Sequence, residues 1–176
     1  MVFGVNGDRQ SFPLLLILRI LVELDEIAYT KKYNSGKYMP AKDIFHAVVR
    51  SALEKEGWVI THDPLYLKVD EDKLYVDLGA ANDLLGADRY GQKIAVEIKC
   101  FLGLSLINEF HEAMGQAWNY KVVLEEQQPD RVLYLAVPKD IYEEFFTRRL
   151  AQMSVMRMQL NLLVFNPIKE EIVSWK

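Results

Sequence analysis

The spacing of apolar residues changes from helical to strand-like after Gly57. From Ala41 onwards, apolar residues recur every three or four positions, which predicts a helix that ends at Gly57. These residues are Ile44, Phe45, Val48, Val49, Ala52 and Leu53. The segments 58–62, 65–69 and 73–78 are short, rich in β-forming residues and separated by Asp-Pro and acidic turn signals. They predict a meander of antiparallel strands, and 92–101 predicts a further strand.

The second half of the chain alternates between helical and strand-like patterns. Residues 105–126 predict a long helix with Ser105 as its N-cap and Pro129 beyond its end. Segment 131–137 predicts a buried strand, 140–146 and 149–159 predict helices, and 160–165 and 172–175 predict strands. The expected fold class is therefore α/β (α+β), with a mixed β-sheet layered between helices.

Residues 1–38 differ in character from the rest, and we expect an N-terminal extension before a single domain over 39–176. The extension contains an apolar run at 13–22, about half of the ~20 residues that a bilayer-spanning helix needs. The run also contains Arg19, and neither a basic leader nor a small-residue cleavage site accompanies it. We therefore expect a cytoplasmic protein without a membrane segment. The single cysteine, Cys100, excludes an intramolecular disulfide and a multi-cysteine zinc site.

The overall charge gives no sign of a nucleic-acid binder. The chain has 21 Lys and Arg against 25 Asp and Glu, a net charge of -4. Any contact with DNA must therefore depend on a local basic patch. The candidates for phosphate contact are Lys42, Arg50, Lys55, Arg89, Lys93, Arg148, Arg149 and Arg157.

A set of polar residues on the predicted strands suggests metal-dependent chemistry. Side chains alternate across a strand, so Glu97 and Lys99 share the face opposite to the apolar Ile94, Val96 and Ile98. Asp77 likewise alternates with Leu74, Val76 and Leu78. If the two strands are neighbours, Asp77, Glu97 and the backbone carbonyl of Ile98 form an oxygen-rich site suited to Mg²⁺ or Mn²⁺. Lys99 would then orient an attacking water or offset developing negative charge. The alternative is an exposed Glu97–Lys99 ion pair worth at most about 1 kcal/mol.

The helix predicted over 105–126 carries a polar stripe. Glu112, Gln116 and Tyr120 recur at every fourth position, with Glu109 beside them. Two interpretations are open: the stripe is a solvated helix face, or Gln116 and Tyr120 border a metal and a substrate phosphate.

From Met39 to the C-terminus, the chain resembles a known family. The segments MPAKDIFH, GWxITHDPLxLKV, YVDLGA, GQKIAVEIK, GQxxNY and EEQQPDRVLYLAVP are similar to the XisH family, the fdxN-element excision controlling factors of cyanobacteria. That family resembles the PD-(D/E)XK restriction-endonuclease-like superfamily, whose three-layer core is αβββαβ. Its D…ExK pattern falls on Asp77, Glu97 and Lys99, and the QxxxY of some branches falls on Gln116 and Tyr120.

Two positions depart from the superfamily pattern. Many members carry a glutamate on the first helix, where this chain has His46, with Asp43 one turn earlier. No proline precedes Asp77.

The resemblance implies a Mg²⁺-dependent endonuclease-like protein that acts on DNA during the programmed excision of a DNA element. In this interpretation Asp77 and Glu97 bind the metal with the Ile98 carbonyl, while Lys99, Gln116 and Tyr120 serve catalysis. The alternative is a non-catalytic accessory factor, binding DNA or protein, that controls a separate recombinase together with a small XisI-type partner. A homodimer, or a complex formed through exposed apolar surface, is a third expectation.

Overall fold

The computed structural model describes residues 41–82 and 91–176, except for the side chains of residues 41 and 42. The predicted extension 1–38 with its apolar run, as well as Arg89, lies outside this described part. The division of the chain at residue 38 therefore stays a prediction. No helix in the described part is both long and apolar enough to cross a membrane.

Helices and strands alternate along the described residues. In chain order they are α1 (Ala41–Lys55), β1 (Val59–His62), β2 (Leu65–Val69), β3 (Asp72–Val76), β4 (Leu78–Asn82), β5 (Gln92–Ile98), α2 (Leu106–Gln127), β6 (Arg131–Pro138), α3 (Lys139–Ile141), a π-helix (Tyr142–Phe146), α4 (Arg149–Met158), β7 (Asn161–Asn166) and β8 (Glu171–Trp175). Each segment predicted to be helical is helical, within one or two residues at its ends. Gly57, which was predicted to stop α1, has a φ of +86° that suits glycine.

The strands form one mixed sheet and one separate hairpin. Among the described strands, the six-stranded sheet has the order β1-β4-β5-β6-β7-β8, and β2 and β3 form a separate pair. The pairs β5–β6 and β6–β7 are parallel, whereas β1–β4, β4–β5 and β7–β8 are antiparallel. This mixed sheet with flanking helices confirms the predicted fold class.

The predicted meander is wrong, because the strand expected over 73–78 is two strands in different sheets. Val76 ends the hairpin opposite Leu65, and Leu78 begins the main sheet opposite Val96. Both Val76 and Leu78 are fully buried, so their alternation in the sequence resembles that of one continuous strand. The strand expected over 92–101 also ends early, at Ile98, and Phe101 has a φ of +53°.

The two long helices lie on opposite faces of the main sheet. Alternate residues of β5, Ile94, Val96 and Ile98, belong to an apolar cluster with Phe45 and Val49 of α1. Because side chains alternate across a strand, the intervening residues of β5 face the other side, where a side chain of α2 is bonded to Lys99. The order α1, β1, β4, β5, α2, β6 follows the expected αβββαβ arrangement, with the β2–β3 hairpin inserted after its first strand.

Ser105 is the N-cap residue of α2, but its side chain makes no capping hydrogen bond. Its backbone carbonyl accepts from the N–H groups of Asn108 and Glu109 at 3.1 Å. The predicted N-cap position is therefore confirmed, without a side-chain capping bond.

Candidate active site

Asp77 occupies the bend at which the chain leaves the hairpin and enters the main sheet. Leu78 pairs with Val96, so the register extended by one residue sets Asp77 beside Glu97. The Asp77 carboxylate accepts a hydrogen bond of 2.8 Å from the N–H of Ile98 to Oδ2. This bond holds the carboxylate against the end of β5, next to the two residues that flank Ile98.

Glu97 and Lys99 form an ion pair at the same end of β5. The Nζ of Lys99 lies 2.9 Å from Oε1 of Glu97. Glu97 is 1% exposed, and the Lys99 side chain is 24% exposed. The alternative interpretation, an exposed surface pair, is therefore wrong. Burial of a carboxylate in a protein interior demands a charged partner or several hydrogen bonds, and Lys99 is one such partner here.

Gln116 and Tyr120 of α2 connect this ion pair to the hairpin. Lys99 Nζ donates to Oε1 of Gln116 at 2.6 Å, and Nε2 of Gln116 donates to the hydroxyl of Tyr120. The Tyr120 hydroxyl in turn donates to the backbone carbonyl of Tyr75 at 2.8 Å. A phenol has a single O–H, so once it donates to Tyr75 it can only accept from Gln116. The amide oxygen of Gln116 is therefore the atom that accepts from Lys99. We call this series of hydrogen bonds, from Lys99 through Gln116 and Tyr120 to the Tyr75 carbonyl, the relay. In the relay, each hydrogen bond fixes the donor and acceptor of the next.

Burial, and then the negative charge nearby, raise the pKa of Tyr120. The side chain is 4% exposed, and burial is the largest cause that raises its pKa from 10.0 to about 12. The charges of Glu97 and, more weakly, Asp77 raise it further, while the hydrogen bond from Gln116 lowers it. Tyr120 is therefore a neutral hydrogen-bonding phenol near neutral pH, and both carboxylates act on it.

The residues of the polar stripe on α2 differ in burial, so neither a fully solvated face nor a fully buried one describes the whole stripe. Tyr120 is buried and Gln116 is half-buried, whereas Glu112 is exposed as a solvated face would be. Glu109 accepts the N–H of Gly103 at 2.8 Å, so it holds the loop that follows β5. A cleft next to this loop is lined by Lys99, Cys100, Phe101, Leu102, Glu109 and Glu112.

The donor atoms at the end of β5 suit a hard divalent cation. Asp77 and Glu97 supply carboxylates, and in a β-strand the C=O and N–H of one residue leave on the same side. The carbonyl of Ile98 therefore points to the side from which Asp77 reaches its N–H. Within residues 41–82 and 91–176, no group of three or more His, Cys, Asp or Glu side chains could hold a metal. Two carboxylates with one carbonyl fit Mg²⁺ or Mn²⁺, since Mg²⁺ commonly keeps several water ligands.

The positions of α1 that were compared with the glutamate of the PD-(D/E)XK pattern are His46 and Asp43. His46 Nε2 lies 2.9 Å from Oδ1 of Asp63, and Arg50 Nη1 lies 2.6 Å from the other oxygen of the same carboxylate. Asp43 is exposed. His46 thus contacts the same carboxylate that Arg50 binds, and these contacts tie α1 to the segment after β1.

Several basic residues singled out for phosphate contact are paired with acidic side chains. Arg50 contacts Asp63 and Glu54, and Lys55 contacts Glu170. Further pairs are Lys93–Asp130 and Arg148–Glu144. The side chain of Lys42 and residue Arg89 lie outside the described part. Four of the six candidates whose side chains are described therefore have an acidic partner.

The comparisons with known proteins agree on one family. The family model described as XisH protein matches residues 39–173. The chain belongs to the XisH family. A crystal structure of an XisH family protein from Nostoc punctiforme is similar, with 43% identity and a TM-score of 0.68 over 76% of this chain and 98% of that chain. An fdxN element excision controlling factor protein from Anabaena variabilis has 44% identity and a TM-score of 0.67 over the same shares. None of the curated proteins compared with the chain matches it.

Sequence reasoning missed two parts of this XisH site. The Tyr75 carbonyl that accepts from Tyr120 is a backbone group. Every residue has one, so the residue type at position 75 does not predict this contact. The prediction of a continuous meander also missed the inserted hairpin, because its two-residue turn, Asp70-Glu71, lacks the glycine of the usual hairpin turns.

Proposed function

We propose that this XisH protein is a Mg²⁺-dependent endonuclease-like protein of the PD-(D/E)XK type that acts on DNA during programmed DNA excision. One observation carries the proposal: the Asp77 carboxylate meets the backbone of Ile98 between Glu97 and Lys99, which are themselves 2.9 Å apart. Phosphodiester hydrolysis with a divalent cation needs carboxylates that hold the cation, and an ammonium group beside them can orient the attacking water or offset negative charge.

In this proposal the metal is held by Asp77, Glu97 and the Ile98 carbonyl. Bound Mg²⁺ would stabilise charge on the scissile phosphate and lower the pKa of a water. Lys99 has three N–H donors, of which Glu97 and Gln116 take two. The third is directed by those two bonds and is suited to orient a water or to bind a phosphate oxygen. Gln116 and Tyr120 are positioning residues that hold the lysine through the relay.

A plasmid-nicking assay with Mg²⁺ or Mn²⁺ tests the proposal. The native chain should nick supercoiled DNA, and Asp77→Asn, Glu97→Gln and Lys99→Met should each reduce the rate by about 10²-fold or more, because each removes a charge from the reacting centre. Glu112→Gln is the matched control, since Glu112 is an exposed acid on the same helix stripe. Native protein that nicks no form of DNA, or Glu97→Gln protein that nicks like the native chain, would contradict the proposal.

A second candidate function is supported by the charge distribution. The net charge is -4, and Arg50, Lys55, Lys93 and Arg148 are engaged by carboxylates, which leaves less positive surface for long duplex DNA. The Anabaena relative is named an excision controlling factor. An accessory factor that controls a separate recombinase, with a small XisI-type partner, fits these observations. This second function predicts that the native chain nicks no DNA. It also predicts that the chain co-purifies with its small partner, and that Glu97→Gln does not disrupt this complex.

A further inference from the structure

The β2–β3 hairpin has an apolar inner face and an aromatic, basic outer face. Leu65 and Leu67 are each 1% exposed and Val76 is fully buried, whereas Tyr66 is 44% and Tyr75 is 51% exposed. The inner face is anchored to α2, whose Gln127 donates to the carbonyl of Lys68 at 2.7 Å. The outer face remains at the surface of the part of the chain that the structure describes.

Tyr66 and Tyr75 stand directly opposite each other on this outer face. Their ring centroids are 5.3 Å apart, and the ring planes are tilted by 44°. A cross-strand aromatic pair stabilises a hairpin by itself. Both rings nevertheless leave about half of their surface exposed, so they present a wide π-surface to which a nucleobase can stack.

Lys68 and Lys73 face each other one step further along the same outer face. Like charges directly opposite each other destabilise a strand pair. Neither ammonium group lies within 4.0 Å of a carboxylate of the described residues, in contrast to Arg50, Lys55 and Lys93, which all have acidic partners. An anion between the two lysines would remove the repulsion, and a phosphate carries the required charge.

The hairpin turn limits the path that a bound phosphate backbone can follow. Asp70, Glu71 and Asp72 lie at the tip, beyond the lysines, and would repel a phosphate backbone. The favourable path therefore covers the lysines and tyrosines and leads away from the tip, in the direction of Asp77.

The same strand connects this surface to the candidate active site. Tyr75 precedes Asp77 by two residues, at most about 7 Å along an extended chain, which is comparable to the separation of successive phosphates in an unpaired strand. The carbonyl of Tyr75 also anchors the Tyr120 hydroxyl. A base stacked on Tyr75 would thus belong to a nucleotide only a few positions from the phosphate at Asp77 and Glu97.

We propose that the outer face of the β2–β3 hairpin binds an unpaired stretch of DNA, with bases stacked on Tyr66 and Tyr75 and phosphates between Lys68 and Lys73. The choice of DNA as the ligand rests on the proposed function, whereas the aromatic and charge arguments do not. The exposed π-surface selects unpaired bases, because the bases of a duplex are stacked on each other and unavailable to side chains.

The test is the binding of a fluorescent oligo-dT of about 12 nucleotides, in the range of single-strand site sizes, to the full chain in EDTA. Fluorescence anisotropy should give a Kd that rises at least about fivefold in Tyr66→Ile and in Tyr75→Ile, since base stacking on an aromatic residue is lost. Isoleucine keeps the strand propensity. Tyr66→Phe should bind like the native chain, as should Trp118→Leu, which removes an equally exposed aromatic residue (50%) from α2.

The double variant Lys68→Gln/Lys73→Gln tests the phosphate contacts. The slope of log Kd against log salt should fall by about 1.4, because each lysine that neutralises a phosphate of a single strand contributes about 0.7. The matched control is Lys139→Gln/Lys169→Gln, which removes two exposed lysines outside the hairpin, and for which the slope should not change. The variants' melting temperatures check that the hairpin is folded.

The two proposals fail separately. Binding that depends on the tyrosines, in a protein that nicks nothing, supports the hairpin surface and refutes the nuclease. Nicking combined with oligo-dT binding that Tyr66→Ile and Tyr75→Ile leave unchanged overturns the hairpin surface, and the tyrosines are then only a packing pair. Native protein that does not bind oligo-dT, or that binds a duplex of equal length as tightly and with the same tyrosine dependence, also overturns it.

Discussion

Replacing Tyr120 by phenylalanine should destabilise the domain, because it removes the central member of the relay from Lys99 to the hairpin. The ring still fills its site, but the Tyr75 carbonyl loses its donor and the Gln116 amide loses its acceptor. Each hydrogen bond contributes about 1 kcal/mol net, and a buried group left unpaired costs about 1–3 kcal/mol. We therefore expect about 2 kcal/mol less free energy of unfolding, and a Tm lower by about 4–10 °C.

Urea unfolding followed by circular dichroism measures this difference. The m-value should stay unchanged, since the folded and unfolded surfaces are nearly the same. Tyr134→Phe is the matched control: Tyr134 is half-buried and stacks edge-on against Trp175, and no hydrogen bond of its hydroxyl to another described residue is seen. It should lose less than about 0.5 kcal/mol. Equal stability of native and Tyr120→Phe protein would refute the relay.

The same pair of proteins gives a prediction at alkaline pH. Because the pKa of Tyr120 is raised from 10.0 to about 12 on folding, its protonated form is favoured in the folded state. This contribution amounts to about 3 kcal/mol and is fully present below pH about 10. It is lost as the pH rises through about 12. The stability advantage of the native chain over Tyr120→Phe should therefore shrink across this range.

Two further substitutions test the charges at the sheet. Lys99→Met removes the ammonium partner of the buried Glu97 carboxylate, so the free energy of unfolding should fall by about 3 kcal/mol. Mg²⁺ should restore more stability to this variant than to the native chain. Thermal melting with and without the metal measures this difference. Arg131→Met removes a buried guanidinium that donates to the carbonyls of Ile94 at 2.8 Å and Ala80 at 3.4 Å. Urea unfolding should show a free energy of unfolding lower by about 2–4 kcal/mol. A decrease of less than about 0.5 kcal/mol would contradict this role.

The parts of the fold that sequence could predict are those with a single dominant period. α1 and β5 each bury one continuous apolar stripe, so Phe45, Val49 and Val96 could be assigned to a core from spacing alone. The strand pairing could not be predicted. Val76 and Leu78 are both fully buried, yet they pack in different sheets, and a period of two carries no information on which strand is the partner.

The candidate site could be predicted further than the pairing, because it depends on residues that alternate within one strand. Glu97 and Lys99 share a face in any β-conformation, and the ion pair at 2.9 Å follows from that. The degree of burial does not follow from spacing. On α2, Glu112 is exposed and Tyr120 is 4% exposed although they lie on one stripe, since the stripe runs from solvent to the underside of the hairpin.

The bend at Asp77 links the fold to the proposed chemistry. If β4 began two residues earlier, the register would set Val76 opposite Ile98, and a backbone carbonyl would accept the Ile98 N–H. Val76 instead pairs with Leu65 in the hairpin, and the Asp77 carboxylate accepts that N–H at 2.8 Å. Asp77, the residue between the two sheets, therefore supplies the carboxylate beside Glu97. An asparagine oxygen can accept the same bond without the charge, so Asp77→Asn separates the chemical role from the structural one, whereas Asp77→Ala would remove both.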